Sequence, residues 1–408
     1  MRGCVRWSRL WFVSAFLLVP RMSQASNLDS TQRTFDGANR FGLQLLSQLV
    51  LEQPRERNFV VPPVSIQLAL SMAYAGAEGA TADAMANTLG WGGTSREQLL
   101  GLQSALQASL KSPGSDIVLR IANAVWVDEP AKLQPAYSHA VEQQFGSEIF
   151  SRPFHGSGIT GEINRWVDQQ TLGKITQILT EPPRPPLCLV DAVYFKAPWK
   201  SPFEPRANTR QPFHLADGRQ VDVAMMHNKA LLAHLKTDAF EAVRLRYAGD
   251  RFGLVLLLPQ SGSTVGTLVE RLADKPWSEV EGGFQEARCN LTVPKFKVDY
   301  GAELQTPLRQ MGMAIAFDPA AADFRRMLKD KSPLYIENVI HKTFLRVDEA
   351  GSEAAAATAV LMTRAAMIPE QNVVDLTFDR PFVFAIVDQS SHTILFVGIL
   401  GDPEGAKL

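Results

Sequence analysis

The sequence predicts an α+β fold, and three observations support this. The first third of the chain carries apolar residues at helical spacing, and most of the remainder carries apolar runs typical of buried strands. After residue 26 no linker, repeat or low-complexity tract separates the two regions. Helices grouped before strands are typical of the α+β class. We therefore expect one large domain over residues 26–408.

The predicted helices follow from spacing and from their end signals. Apolar residues recur at helical intervals, and Gly90 and Gly173 are placed to end two of the helices. The predicted helical segments are 41–50, 66–73, 81–89, 99–110 and one around 163–167.

The predicted strands are continuous apolar runs. The residues between the last two runs, 389–392, are polar and have the length of a hairpin connection. The runs are IVLRIANAVWV (117–127), LCLVDAVYF (187–195), FGLVLLLP (252–259), NLTVPKFKV (290–298), FVFAIVD (382–388) and ILFVGIL (394–400).

Composition excludes several classes of protein. Of 408 residues, 46% are hydrophobic and 20% charged, with 41 Lys+Arg against 42 Asp+Glu and 3 Cys. A disulfide scaffold needs more cysteine, a disordered chain has fewer apolar residues, and a nucleic-acid binder usually has a basic excess. We expect a globular protein without a nucleic-acid partner, but composition does not separate an enzyme from a binding protein.

Residues 1–25 have the pattern of a secretory signal peptide. Arginines precede a short apolar run over 10–19, and Ser23-Gln24-Ala25 has the small residues that a signal peptidase prefers. The run is shorter than the ~20 residues that span a bilayer. We expect an exported protein, extracellular or periplasmic, that begins at Ser26 and has no membrane partner. Removal of residues 1–25 leaves 37 basic residues, 42 acidic residues and two cysteines.

Those two cysteines, Cys188 and Cys289, each lie in an apolar strand-like run. An oxidising compartment would permit a disulfide between them. The interpretation that we favour is two buried free thiols that pack as small hydrophobic side chains.

No motif indicates enzymatic chemistry or a metal site. The sequence has no G-x-S-x-G elbow, H-E-x-x-H, C-x-x-C or phosphate-binding G-x-x-x-x-G-K-[ST], and its seven histidines lack ligand spacing. Because catalytic triads need not be local in sequence, a triad assembled in space is the weaker alternative. We expect no catalytic residues, no metal and no cofactor.

The segment GSEAAAATA (351–359) is compositionally unusual. Its alanines favour a helix, and a short exposed helix is one interpretation. Read with a period of two, small uncharged residues share one face and Glu353 lies on the other. That face holds Ser352, Ala354, Ala356, Thr358, Val360 and Met362. Such a segment can lie in water as a loop and can also enter a sheet as a strand.

The chain resembles the serpin family of serine protease inhibitors. VDEAGSEAAAATAV (347–360) is similar to the family's hinge, and six other segments resemble family signatures in the same order along the chain. They are GAEGATADAMANTLG (76–90), INRWVDQQTLGKI (163–175), LVDAVYFKAPWKSPF (189–203), ADFRRM (322–327), FDRPFVFAIVD (378–388) and ILFVGILGDP (394–403).

The resemblance implies three β-sheets, about eight or nine helices and an exposed reactive-centre loop over about 349–370. A serine protease attacks one bond of that loop, and the cut loop then inserts into the main sheet before the acyl-enzyme is hydrolysed. The hinge positions implied are Glu349, Gly351, Ser352, Glu353, Ala354, Ala355, Ala356, Ala357 and Thr358. Ala354→Arg should convert such an inhibitor into a substrate, because insertion would bury an unpaired charge.

Family spacing from Glu349 implies that Ala365-Ala366 is the reactive bond, which suits elastase-like proteases with shallow specificity pockets. Arg364 lies one position earlier, so a trypsin-like protease that cuts Arg364-Ala365 is the alternative. Arg364 can also be a solvated charge without a role.

The resemblance also implies a polar cluster that holds the main sheet together before it opens, formed by Ser65, Asp191 and His341, with Trp199 near the point where the hinge enters. Most members carry Asn at the position of Asp191, and Pro62 stands where a Ser usually precedes Pro63. An acid beside His341 favours the imidazolium, so we hypothesise that sheet opening depends on pH. The alternative is that Asp191 faces elsewhere or is simply hydrogen-bonded.

Cofactors and partners follow from the same comparison. Family members that are activated by polyanions carry a basic helix early in the chain, whereas the stretch 96–111 has only Arg96 and Lys111 at its ends, so we expect no heparin-type cofactor. Asn290 begins an N-x-T sequon whose use depends on the source. We expect a monomer whose partner is an elastase-like or trypsin-like serine protease, held covalently. A non-inhibitory carrier or chaperone is the alternative.

Overall fold

A computed structural model describes residues 22–53, 57–92, 94–111, 113–114, 116–129, 131–156, 158–330, 332–352 and 373–405, with side chains from residue 34 onward. The helices in this part of the chain are α1 (Met22–Glu52), α2 (Pro63–Gly76), α3 (Gly79–Thr88), α4 (Arg96–Leu110), α5 (Pro135–Phe145), α6 (Gly158–Gln170), α7 (Val265–Ala273), α8 (Trp277–Gly282) and α9 (Gln305–Leu308), followed by short helical turns at Arg309–Met313 and Ala314–Phe317. A further short turn lies at Pro205–Ala207.

The strands are β1 (Asn58–Val61), β2 (Val118–Asp128), β3 (Glu148–Arg152), β4 (Leu187–Pro198), β5 (Thr209–His214), β6 (Gln220–Lys236), β7 (Phe240–Arg246), β8 (Phe252–Pro259), β9 (Gln285–Pro294), β10 (Phe296–Glu303), β11 (Asn338–Val347), β12 (Gly351–Ser352), β13 (Val374–Thr377), β14 (Phe382–Asp388) and β15 (Thr393–Leu400). The α+β class predicted from the sequence is confirmed.

Two hydrogen-bonded sheets contain these strands. The smaller has the order β10-β11-β12-β4-β2-β3, and the larger the order β1-β15-β14-β8-β7-β6-β9-β13 with β5 paired to β6. The 17-residue strand β6 pairs with β5 at its start and with β7 at its end. The larger sheet is therefore continuous through β6, so the described strands form two hydrogen-bonded sheets where the resemblance implied three.

The smaller sheet has both of its faces covered. Helix α6 places Ile163, Trp166 and Val167 on one face, against even-numbered residues of β4 such as Cys188 and Val190. Helix α2 covers the other face, and the larger sheet lies behind it. Because both faces are buried, β4 is apolar along almost its whole length instead of alternating.

Local sequence explains the main helices. Helix α2 has no charged residue and is buried along almost its whole length, as expected for a helix between two sheets. Helix α4 begins at a capping box in which Ser95 accepts from the backbone of Gln98, so it starts three residues earlier than its apolar spacing indicates. After α3, Gly90 adopts a positive φ of 74°, as predicted for a residue that ends a helix.

The two cysteines are free and buried. Cys188 on β4 faces α6, whereas Cys289 on β9 belongs to the core between the sheets. Burial raises the pKa of both thiols, which keeps them protonated and unreactive. The prediction of two free thiols is confirmed.

One predicted strand is two strands in different sheets. The run NLTVPKFKV was expected to be continuous, but Lys295 separates β9 in the larger sheet from β10 in the smaller one. Pro294, the last residue of β9, has no backbone N–H to donate to a neighbouring strand. This break brings Lys295 to the hinge.

Candidate functional site

Strands β4 and β11 lie side by side in the smaller sheet and pair in parallel from Asn338↔Cys188 to Phe344↔Tyr194. At the end of this pairing, the two-residue strand β12 lies between them, antiparallel to both: Ser352 pairs with Val347 on β11 and with Ala197 on β4. The hinge residues Gly351 and Ser352 are therefore already part of the sheet.

Three of the predicted site residues form one buried group, the central cluster, which we define as Ser65, Asp191 and His341. Asp191 and His341 are register partners on β4 and β11, and Nδ1 of His341 donates to Oδ2 of Asp191 at 2.7 Å. The hydroxyl of Ser65 on α2 donates to the other carboxylate oxygen of Asp191. Both members of the Asp191-His341 pair have fully buried side chains.

Neighbouring groups complete the hydrogen bonding of the central cluster. Nε2 of His341 lies 3.2 Å from the hydroxyl of Thr343 and 3.4 Å from the carbonyl oxygen of Val60. Asn123, the register partner of Asp191 on β2, donates to the carbonyl of Ser65 at 3.0 Å. Four strands (β1, β2, β4 and β11) and the helix α2 are thus joined through polar side chains in an otherwise apolar core.

This group is not a catalytic triad, although it contains Ser, His and Asp. In a triad the histidine contacts the serine hydroxyl and the carboxylate orients the histidine. Here the carboxylate of Asp191 lies between the other two and accepts from both Ser65 and His341, so the imidazole does not contact the hydroxyl. The arrangement holds strands together and offers no nucleophile.

A second group of side chains, the hinge cluster, fixes the chain where β11 turns into β12. It consists of Trp199, Asn208, Tyr247, Lys295 and the hinge residues 348–352. Nε1 of Trp199 donates to the carbonyl of Asp348 at 2.8 Å, and its ring stacks on Tyr247 with centroids 4.5 Å apart. The hydroxyl of Tyr247 lies 2.6 Å from that of Ser352, and Ser352 is fully buried.

Glu349 is the charged anchor of the hinge cluster. Nζ of Lys295 lies 2.8 Å from its carboxylate, and the side-chain amide of Asn208 donates to the same oxygen. Burial by itself raises the pKa of Glu349, but the hydrogen bonds from Lys295 and Asn208 outweigh it, so the pKa lies below its ordinary value. Glu349 is therefore ionised at neutral pH and ties the hinge to the segment between the two sheets.

Comparisons with known proteins agree with this geometry. The family model described as Serpin (serine protease inhibitor) matches residues 36–403. The chain belongs to the serpin family. It is 30% identical to human leukocyte elastase inhibitor over 378 residues, which cover 89% of this chain and 98% of that protein.

Two further relatives show how widely this serpin's relatives range. An uncharacterised serpin-like protein of Thermococcus kodakarensis is 34% identical over 370 residues, which cover 90% of this chain and 85% of that protein. The crystal structure of human thyroxine-binding globulin matches with a TM-score of 0.84 at 27% identity, covering 92% of this chain and 99% of that chain.

The serpin's predicted site residues fall into two places. Ser65, Asp191 and His341 meet, whereas Trp199 belongs to the hinge cluster, separated from Asp191 by several residues of β4 or about 25 Å. Of the hinge positions, Glu349, Gly351 and Ser352 are described, but Glu353, Ala354, Ala355, Ala356, Ala357 and Thr358 lie outside the described residues. So do Arg364, Ala365 and Ala366.

Sequence reasoning missed four residues of the serpin's site: Asn123, Asn208, Tyr247 and Lys295. None is part of a chemical motif. Each reaches the site only because strand pairing and packing in the folded chain bring it there. Asn123 could have been found, because a lone polar residue in the run IANAVWV needs a hydrogen-bond partner when it is buried. Lys295 gave a weaker signal, as a charged residue that directly follows Pro294 at the end of an apolar run.

Within the part of the chain that the structure describes, no helix has both the length and the apolar content needed to cross a membrane.

Proposed function

We propose that this serpin is an irreversible, single-use inhibitor of serine proteases that traps the acyl-enzyme by inserting its cleaved loop between β4 and β11. The position of β12 carries the proposal. Two hinge residues already lie between these strands, antiparallel to both. The cleaved loop can therefore extend an existing strand and does not have to start a new strand pairing.

The register of β12 predicts where each inserted residue would lie. If the pairing of Ser352 with Val347 and Ala197 continues in step, position 354 would lie between Leu345 and Phe195, which are both fully buried. Position 358 would lie between His341 and Asp191. The central cluster is therefore the point that an inserting loop must part.

The same register supports the two-faced pattern of the hinge. Ser352 points toward Tyr247 in the core between the sheets, so positions 354, 356, 358, 360 and 362 would point there too, and 353 would point to the opposite face. The small residues at 354 and 356 suit a buried face, and Glu353 would avoid it. Ala354→Arg would place an unpaired charge between Leu345 and Phe195.

Insertion has enough driving force to compete with hydrolysis of the acyl-enzyme. About ten residues would gain ladder hydrogen bonds worth roughly 0.5–1.5 kcal/mol net each. Burial of Val360 and Met362 adds a few kcal/mol at about 25 cal/mol per Å². Distorting a protease active site by a few kcal/mol slows deacylation by orders of magnitude, since each 1.4 kcal/mol changes a rate tenfold.

The attacked bond is Ala365-Ala366 in this proposal, with Arg364-Ala365 as the alternative. Human leukocyte elastase inhibitor is among the similar proteins, which supports a small residue at the attacked position. The chain is further proposed to be a monomer exported after loss of residues 1–25, which the N-terminal residue of the secreted protein would test.

Incubation with an elastase and, separately, with trypsin tests the proposal on denaturing gels. We expect an SDS-stable band larger than the serpin with one of them, and a released peptide that begins at Ala366 for Ala365 attack or at Ala365 for Arg364 attack. Ala354→Ser should keep the band, and Ala354→Arg should give cleaved serpin without it. Cleavage without any stable band in the wild type would contradict inhibition and favour a carrier such as thyroxine-binding globulin.

A further inference from the structure

We propose that the edge of β2 over residues 119–123 binds a short, extended peptide that carries a carboxylate, and that the peptide adds to this edge as a strand. The edge faces away from the hinge, because β4 lies between β2 and the place where β12 enters the sheet. Peptide binding at this edge is independent of the proposed inhibition of proteases and can be measured without a protease.

Strand β2 is paired on both sides along only part of its length. On one side β4 pairs with it from Val118 to Val127. On the other side β3 pairs with it only from Ala124 to Asp128, and among the strands that the structure describes none pairs with residues 119–123 there. Because a strand rises about 3.3 Å per residue, this edge is roughly 17 Å long and suits a peptide of about five residues.

A cavity of about 380 Å³, the edge cavity, lies along this part of β2. All five residues 119–123 line it, and its other walls are the end of α4, the residues that lead into β3, and α6. Successive side chains of a strand point to opposite faces, so a cavity that touches five in a row runs along the backbone edge between the faces. The N–H and C=O groups of such an edge can pair with an added strand.

The edge cavity has an apolar wall on each face of β2. On one face Leu119 and Leu110 of α4 belong to the core between the sheets, and on the other face Ala122 packs with Trp166 of α6. An added strand would send alternate side chains to these two walls. We therefore expect the bound peptide to carry apolar residues at successive positions.

Asn123 contributes a buried acceptor to the edge cavity. Its side chain is 4% exposed, and its Nδ2 donates to the carbonyl of Ser65 at 3.0 Å. Its Oδ1 has no hydrogen-bond partner among the described residues. Because a buried polar atom without a partner costs free energy, a donor from a ligand in the cavity would be favoured at this oxygen. An extended peptide supplies such donors from its backbone.

The charges of the edge cavity favour an anionic ligand. Lys111 and Arg120 line it and are exposed, and Nζ of Lys111 lies 2.6 Å from the point where a Cβ on Gly146 would stand, between α5 and β3. The one acidic lining residue, Glu148, already accepts from Nε1 of Trp166 at 2.9 Å. The two cations are therefore placed to bind a carboxylate, from an acidic side chain or from the end of the peptide.

Fluorescence polarisation of a dye-labelled peptide, Ser-Leu-Val-Leu-Glu, titrated with the intact full chain tests the proposal. We expect saturable binding that Arg120→Gln weakens severalfold, because a charge-assisted contact with the carboxylate is lost. Arg165→Gln, which removes an exposed arginine on α6 outside the edge cavity, is the matched control and should bind as the wild type does. A peptide whose glutamate and C-terminus are both amidated should bind wild type weakly and respond little to Arg120→Gln.

Methylation of the peptide's backbone nitrogens tests strand addition itself. The N–H groups of an extended chain point alternately to its two sides, so only one alternate set can face β2. We expect methylation of one set to abolish binding and methylation of the other set to be tolerated. Tolerance of both patterns would mean that the cavity takes a small acid or side chains alone, and it would overturn the proposal. So would the absence of saturable binding to the wild type, or binding that Arg120→Gln leaves unchanged.

Discussion

Glu349 is a charged hinge residue that other elements of this serpin hold through both its side chain and its backbone. Its carboxylate accepts from Lys295 and Asn208, while its backbone carbonyl accepts from the backbone N–H of Phe203 at 2.9 Å. Lys295 stands between β9 and β10, so this one ion pair ties the hinge to both sheets. Its strength depends on Glu349 being ionised.

Glu349→Gln should lower the free energy of unfolding at pH 7 by about 1–2 kcal/mol, since a charge-assisted hydrogen bond is lost. Because the pKa of Glu349 is below its ordinary value when folded, its contribution is present above that ordinary value and is lost as pH falls through the folded pKa. Urea unfolding at pH 7 and at successively lower pH should show the two proteins converging in acid. Glu286→Gln, an exposed site on β9, is the control, and a constant gap between Glu349→Gln and wild type at every pH would contradict the assignment.

The strand β12 is the smallest element of the serpin and depends on a glycine. Gly351 has a φ of +153°, and a Cβ there would lie 2.1 Å from the carbonyl oxygen of Ala197 and 2.7 Å from Cα of Pro198. No side chain fits so close to the backbone of β4. The hinge can enter the sheet at this point only because residue 351 is glycine.

Gly351→Ala should expel β12 from the sheet and leave the rest of the fold intact. We expect faster hydrogen exchange in segment 345–352 and, with a protease that the wild type traps, more serpin cleaved per complex formed, because insertion has lost its first pair. Gly101→Ala, where a Cβ meets nothing within 4 Å on α4, is the control and should be neutral or slightly stabilising. Unchanged exchange at the hinge in Gly351→Ala would refute the role given to this glycine.

Strands whose own residues form an apolar run could be predicted from the sequence. A strand whose conformation depends on pairing with its neighbours could not. The apolar runs of β4, β8, β14 and β15 need no partner to be recognised, because burial on both faces leaves them apolar throughout. The strand β6 contains Ala-Leu-Leu-Ala, which favours a helix, yet it pairs with β9 along ten positions. Its neighbours override its propensity, and no local pattern carries that information.

At the scale of the whole molecule, the candidate site joins residues far apart in the chain. Ser65, Asp191 and His341 meet only because α2 packs behind β4 and β11. Resemblance to the serpin family grouped these three residues, whereas the residues themselves do not reveal their proximity.

The proposed insertion would add a strand to the smaller sheet between two covering layers. The smaller sheet is covered by α6 on one face and α2 on the other, so an added strand must part β4 from β11 between two layers. Each inserted residue then gains hydrogen bonds on both sides. A cleaved and inserted serpin should accordingly be more stable than the intact one.

Thermal unfolding of the serpin before and after cleavage of its loop tests the central proposal most directly. The chain, nicked by a protease that it does not trap and then purified, should melt well above the intact protein by circular dichroism, on the order of tens of degrees, since about ten residues have joined the sheet. Ala354→Arg, nicked in the same way, should gain little, because its arginine cannot be buried between Leu345 and Phe195. A cleaved wild type that melts at or below the intact protein would mean that the loop does not enter the sheet between β4 and β11.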